Sequence, residues 1–204
     1  MIRVVARPVL PSAAAPRADA RARSAAVWRL AAALAGDVAG VPILASPRRR
    51  CRSCGATGHG KPELPAALAV GLHVSVSATD GVLAAAVSDE GPVGLDVESV
   101  RAVAAAPVAA VLLHPREAAR GGTGPRALAM TWVRKEALLK ATSHGLRVPP
   151  SSLELTAAHA VPALLAAPAE LGVGPLDVRL ADLTDVELAE VEDHVGAVAV
   201  LVRR

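Results

Sequence analysis

The sequence predicts an α+β protein made of two similar α/β halves, residues 1–100 and 101–204, packed against each other. The order of segments is the first observation: a helix then strands, followed by helices then strands. The second is that strand-length apolar runs are separated by Gly/Asp/Pro turn clusters. The third is composition. In 204 residues, 52% hydrophobic and 20% charged suit a packed core and not a disordered chain. There is no Phe or Tyr, and Trp28 and Trp132 are the only aromatics, so Ala, Val and Leu must fill that core.

Each element has its own signal. Residues 1–10 alternate weakly, as an edge strand does, and 11–18 read as a Pro/Ala linker. Residues 19–35 are Ala-rich without Pro or Gly, a helix that Gly36 closes. Residues 40–62 read as loop. Residues 70–78 and 81–88 read as strands joined by the Thr79-Asp80-Gly81 turn, and 93–98 as a third strand after Asp89-Glu90-Gly91-Pro92. Residues 102–113 are helical with an interruption at Pro107. His114-Pro115-Arg116-Glu117 starts another helix, which Gly121–Pro125 breaks. Residues 126–142 carry the clearest helical pattern, closed by His144-Gly145. Residues 151–156, 176–183 and 195–202 read as strands.

Charge and composition narrow the function classes. No stretch offers about 18 uninterrupted apolar residues, so a membrane span is not expected. Pro8, Pro11 and Pro16 break any secretory apolar region. Two cysteines exclude a disulfide framework, and two aromatics leave little platform for stacking nucleic-acid bases. Residues 1–62 hold eleven basic and two acidic groups, a net of +9, against −6 in the remainder. Such asymmetry implies an anionic ligand or partner. Of 22 basic residues, 19 are Arg; Lys61, Lys135 and Lys140 are the lysines, and lysine's tunable proton makes each a candidate.

Asp96 and Glu98 are two residues apart on a strand, hence on one face, with Leu95 and Val97 turned to a core. Two such acids can share a magnesium ion, although an exposed strand face has the same pattern. Glu136 and Lys140 share a helix face at i, i+4, as a surface pair or as a third ligand with a phosphate contact. Gly60 lets backbone approach a ligand and Lys61 can meet a phosphate. Cys51-x-x-Cys54 with His59 invites a zinc reading beside the bland one of a reduced loop, since a structural zinc needs four ligands.

These segments together resemble the 4′-phosphopantetheinyl transferases, in particular their two-lobed Sfp-like branch. The anchors are Cys51-x-x-Cys54-Gly55…His59-Gly60-Lys61-Pro62, Val74–Ser77, Val93-Gly94-Leu95-Asp96-Val97-Glu98, Trp132–Ala141 and His144–Pro150, in family order over most of the chain. The resemblance implies a pseudo-dimer of two lobes, each with a small antiparallel sheet and packed helices. It implies transfer of the phosphopantetheine arm of coenzyme A to a serine of an apo acyl or peptidyl carrier protein, releasing adenosine 3′,5′-bisphosphate. It further implies that Asp96, Glu98 and Glu136 hold Mg2+ and that Glu136, or a water on the metal, takes the serine proton. Lys140 would lie against the pyrophosphate. Arg23, Ser24, Gly60, Lys61, Pro62, Ser77, Thr79 and Lys140 would contact coenzyme A. A monomeric cytoplasmic enzyme serving polyketide or nonribosomal peptide synthesis is the corresponding expectation, with no nucleic-acid or membrane partner.

Two positions depart from the family pattern. The family has a His, contacting coenzyme A phosphate, where this chain has Ala78. A lost hydrogen bond to a charged group costs roughly 1.5–3 kcal/mol, so weaker coenzyme A binding is expected. A Leu-Leu-Arg run common in the family is replaced by Ala in the first helix. Two alternatives stand beside the transferase: a non-catalytic carrier-binding relative, motivated by Ala78, and a small zinc-containing nucleic-acid binder, motivated by the cysteines and Arg48–Arg52.

Overall fold

The computed structural model describes residues 1–8, 16–51, 54–79, 81–184, 188, 191 and 193–202. The N-terminal elements are β1 (Ile2–Pro8), α1 (Pro16–Ala39), β2 (Arg48–Arg49), β3 (Pro62–Glu63), α2 (Pro65–Ala69), β4 (His73–Thr79) and β5 (Val82–Ser88). They are followed by β6 (Val93–Ser99), α3 (Val100–Ala105), α4 (Ala109–Leu112), α5 (Pro115–Arg120) and α6 (Pro125–Thr142). The chain ends with β7 (Glu154–Leu155), β8 (Leu164–Ala166), β9 (Val178–Asp182) and β10 (His194–Leu201).

Two three-stranded antiparallel sheets result, ordered β1-β5-β4 and β6-β10-β9. Strand alternation decides what each face touches. In β5, Leu83, Ala85 and Val87 pack with Val27, Trp28 and Ala31 of α1. Its other face, Val82, Ala84 and Ala86, meets Val93, Leu95 and Val97 of β6 and Val198 and Val200 of β10. In β10, Val195, Ala197 and Ala199 turn instead to Val133, Ala137 and Leu138 of α6. The layers are therefore helix, sheet, sheet, helix. The α+β expectation holds, with leucine as the large filler: Leu64, Leu95, Leu112 and Leu138 are fully buried, each contributing about 2 kcal/mol.

The chain leaves the first sheet at Ser88 and enters the second at Val93. By sheet membership β6 belongs with the C-terminal elements, although it precedes residue 100. α1 does not stop at Gly36. It continues to Ala39, where Gly40 takes φ +69° and its N–H donates to the Gly36 carbonyl at 2.9 Å. Gly36 is small for another reason: a Cβ there would lie 3.2 Å from the Val41 carbonyl oxygen. Residues 9–15, from the expected linker, and Asp80 of the expected turn lie outside the described residues. Pro107 separates α3 from α4, and His114 caps α5 in a capping box with Glu117, which satisfies its first N–H groups. The short α2, β2–β3 and β8 carry too few residues for a periodic signal.

Candidate active site

β4 and β6 are edge strands of different sheets, and side chains join them. The Leu95 N–H donates to Ser75 Oγ at 3.0 Å and the Val97 N–H to Ser77 Oγ at 3.2 Å. Lys61 Nζ donates to the Val93 carbonyl at 2.6 Å and Lys140 Nζ to that of Leu95 at 2.9 Å. The outward backbone groups of β6, unpaired by any strand, are thus taken by hydroxyls and ammonium groups.

Behind this edge the three expected carboxylates are close enough to influence one another electrostatically. Asp96 is buried; its Oδ1 accepts from Lys140 Nζ at 2.7 Å and from Ser77 Oγ at 3.1 Å. Glu98 Oε2 accepts from Thr79 Oγ1 at 3.1 Å. Glu136 comes from α6, one turn before Lys140. Burial, then the charge of Asp96, raises the pKa of both Glu98 and Glu136, while Lys140 opposes the rise. Asp96 Oδ2 and Glu136 Oε1 are buried without a hydrogen-bond partner. Buried charges of one sign repel, and an orphaned carboxylate oxygen is costly. A hard, oxygen-seeking divalent cation answers both, so these residues fit magnesium.

A cavity of about 390 Å³ opens beside the cluster. Trp28, Gly60, Lys61, Pro62 and Val76 line one side and Lys140 and His144 the other. Arg49 and Arg147 add positive charge to its wall. The carboxylates do not line it. Lys140 is the link, on the cavity wall and in contact with Asp96 at once. Gly60 is required by its φ of +99° and by packing, since a Cβ would sit 2.9 Å from Cys51 Cα.

The other expected residues are placed differently. Ser77 and Thr79, expected on coenzyme A, donate to Asp96 and Glu98, because odd positions of β4 face β6. Arg23 and Ser24 lie on α1 outside the cavity lining, where Trp28 of the same helix reaches the wall. Lys135 is fully buried away from the cluster, donating to Glu117 Oε2 at 2.6 Å and to the Leu112 carbonyl at 2.7 Å. It ties α6 to α5. Its neighbour Arg134 is equally buried, bound to both oxygens of Asp182 and to the carbonyls of Ala157, Ala158 and Ala160. Ala78 is exposed on the even face of β4, which it shares with Val76 of the cavity wall. Cys51, Cys54 and His59 lie together on the loop between β2 and β3, in no disulfide.

Sequence reasoning missed Ser75, Trp28, Arg49 and His144. Ser75 was legible, one period-two step from Ser77. His144 Nδ1, buried on the cavity wall without a partner, carries no local signal because only the end of α6 places it.

The model of the 4′-phosphopantetheinyl transferase superfamily (ACPS) matches residues 92–198. That span contains Asp96, Glu98, Glu136 and Lys140. A comparison with curated proteins returns no match. Similar solved structures include the Helicobacter pylori holo-[acyl-carrier-protein] synthase in complex with coenzyme A. It has 16% identity and a TM-score of 0.43, over 53% of this chain and 98% of that one. Another is the Chronobacterium ammoniagenes ACPS–coenzyme A complex, with 23% identity and a TM-score of 0.41, over 55% and 98%.

Proposed function

The chain belongs to the 4′-phosphopantetheinyl transferase superfamily, and from that premise we propose that it moves the phosphopantetheine arm of coenzyme A onto a serine of an apo acyl or peptidyl carrier protein. The observation that carries this reading is the junction at Lys140, where a cation-lined cavity meets three carboxylates with two orphaned buried oxygens. A diphosphate ester needs cations along its length and a metal at the scissile end, and the site offers both kinds of group.

Asp96, Glu98 and Glu136 would hold Mg2+, which when bound supplies neutralisation of the charge developing on the diphosphate. Lys61, Arg49 and Arg147 hold the phosphates of coenzyme A against the cavity wall, and Gly60 lets backbone come close. Lys140 orients the diphosphate while its ammonium holds the Asp96 carboxylate in place. The carrier serine oxygen attacks the phosphorus that bears the pantetheine arm, and the bond to the adenosine-side bridging oxygen breaks. Glu136 accepts the serine proton at its carboxylate, whose pKa burial and the charge of Asp96 raise. Adenosine 3′,5′-bisphosphate leaves. Most of the catalysis is positioning and charge neutralisation, as in phosphoryl transfer generally.

The two α/β units in one chain support the Sfp-like branch. A monomeric, cytoplasmic enzyme for polyketide or peptide synthesis belongs to the same reading. Among the described residues no helix is long and apolar enough to cross a membrane.

Mass spectrometry tests the proposal. Apo acyl and peptidyl carrier proteins incubated with the protein, coenzyme A and Mg2+ should gain the mass of one phosphopantetheine arm, and EDTA should stop it. No mass gain on any carrier, with the protein folded, refutes the reading. Unchanged labelling by both Asp96→Ala and Glu136→Ala refutes the residue assignment.

A further inference from the structure

We propose that Cys51, Cys54 and His59 bind one zinc ion that fixes the loop between β2 and β3. Among the described residues they are the group whose three ligand atoms lie within 4.8 Å of one another. Cys54 Sγ and His59 Nε2 are 3.3 Å apart. Around a tetrahedral zinc, sulfur and nitrogen ligands lie about 3.5–3.8 Å from each other, given Zn–S near 2.3 Å and Zn–N near 2.0 Å. The cluster needs little adjustment to reach that spacing. Two thiols and an imidazole select zinc over magnesium or calcium, which take oxygen.

Backbone hydrogen bonds arrange these ligands, with Cys51 buried and Cys54 and His59 exposed. The Cys51 N–H donates to the Ala56 carbonyl at 2.8 Å, and the Gly55 N–H to that of Cys51 at 2.9 Å. Gly55, at φ +72°, turns the chain directly after Cys54. Gly60 then presses against the backbone of Arg50 and Cys51, which delivers His59 beside the cysteine pair. Among the described residues of 40–62, the regular structure is the two-residue strands of the β2–β3 ribbon. A segment so long and so poor in core residues gains order from a metal clip. Binding releases the two thiol protons, and a water completes the four ligands that tetrahedral zinc takes. Gly60, Lys61 and Pro62 follow directly in the chain and line the cavity, so the clip sets one wall of it.

The test reads metal, so it stands or falls apart from the carrier assay. Full-length reduced protein is stripped with EDTA, loaded with Zn2+, gel-filtered and analysed by mass spectrometry of the metal. One zinc per chain is expected, and Co2+ in its place should give sulfur-to-cobalt charge-transfer absorption. Cys54→Ser and His59→Ala, both at exposed positions, should weaken zinc binding at least about 100-fold, while Asp96→Ala keeps one zinc. Wild-type protein that retains no zinc overturns the proposal, as do Cys54→Ser and His59→Ala proteins that bind it as tightly as wild type.

Discussion

Gly94→Ala should damage stability and catalysis together. A Cβ on Gly94 would lie 1.9 Å from the Ala137 carbonyl oxygen and 2.4 Å from the Ala141 nitrogen. Both are backbone atoms of α6, so no side-chain rotation relieves the clash. The helix must retreat by roughly 1 Å before the first contact reaches 3.0 Å. Overpacking of this kind costs about 3 kcal/mol, which in a chain of this size lowers Tm by about 6–12 °C. The same retreat pulls Lys140 from Asp96 and the Leu95 carbonyl, now 2.7 and 2.9 Å away, and carries Glu136 along. A misplacement near 1 Å at reacting groups costs about 100-fold in rate. Thermal unfolding by circular dichroism and single-turnover carrier labelling below the new Tm measure the two effects. Gly58→Ala, with nothing within 4 Å of its Cβ, is the control. If Gly94→Ala melts within about 2 °C of wild type and labels at the wild-type rate, the account of helix placement is wrong.

Three further outcomes are expected. Without metal, Glu98 and Glu136 hold their protons more tightly in the folded protein than in the unfolded chain. Their contribution to stability is therefore full below the ordinary glutamate range and is lost as pH rises through the raised values; melting curves in EDTA should show this decline, and excess Mg2+ should flatten it. Lys135→Met leaves Glu117 buried without its cation, costing about 3–5 kcal/mol. A large fall in Tm with an unchanged KM for coenzyme A is the signature, and a changed KM would place Lys135 in the site after all. Ala78→His puts an imidazole on the strand face shared with Val76 of the cavity wall, so KM for coenzyme A should fall several-fold, whereas no change would mean that another group already serves.

Local patterning revealed the strands and α6, because alternation and helical spacing are properties of neighbouring residues. The pairing of Asp96 with Glu98 was legible for the same reason. Partners supplied by distant elements were not. Lys135 and Lys140 sit five residues apart on one helix, yet Glu117 claims the first and Asp96 the second. Nothing in the run from Trp132 to Ala141 separates them. Ser77 and Thr79 carry phosphate-binding chemistry as isolated residues, and only the approach of β6 turns their hydroxyls toward carboxylates. Gly36 read as a helix stop, because a glycine chosen for close approach and one chosen for a left-handed turn look the same in sequence.

The side-chain caps along β6 bear on how the molecule behaves in a crowded solution. An uncapped strand edge recruits strands from other chains and seeds aggregation. Here the hydroxyls of Ser75 and Ser77 and two of the three lysines already occupy that edge. Residues that would be altered to probe turnover are thus also the guards of an adhesive border, and their replacement should reduce soluble yield even where the fold survives.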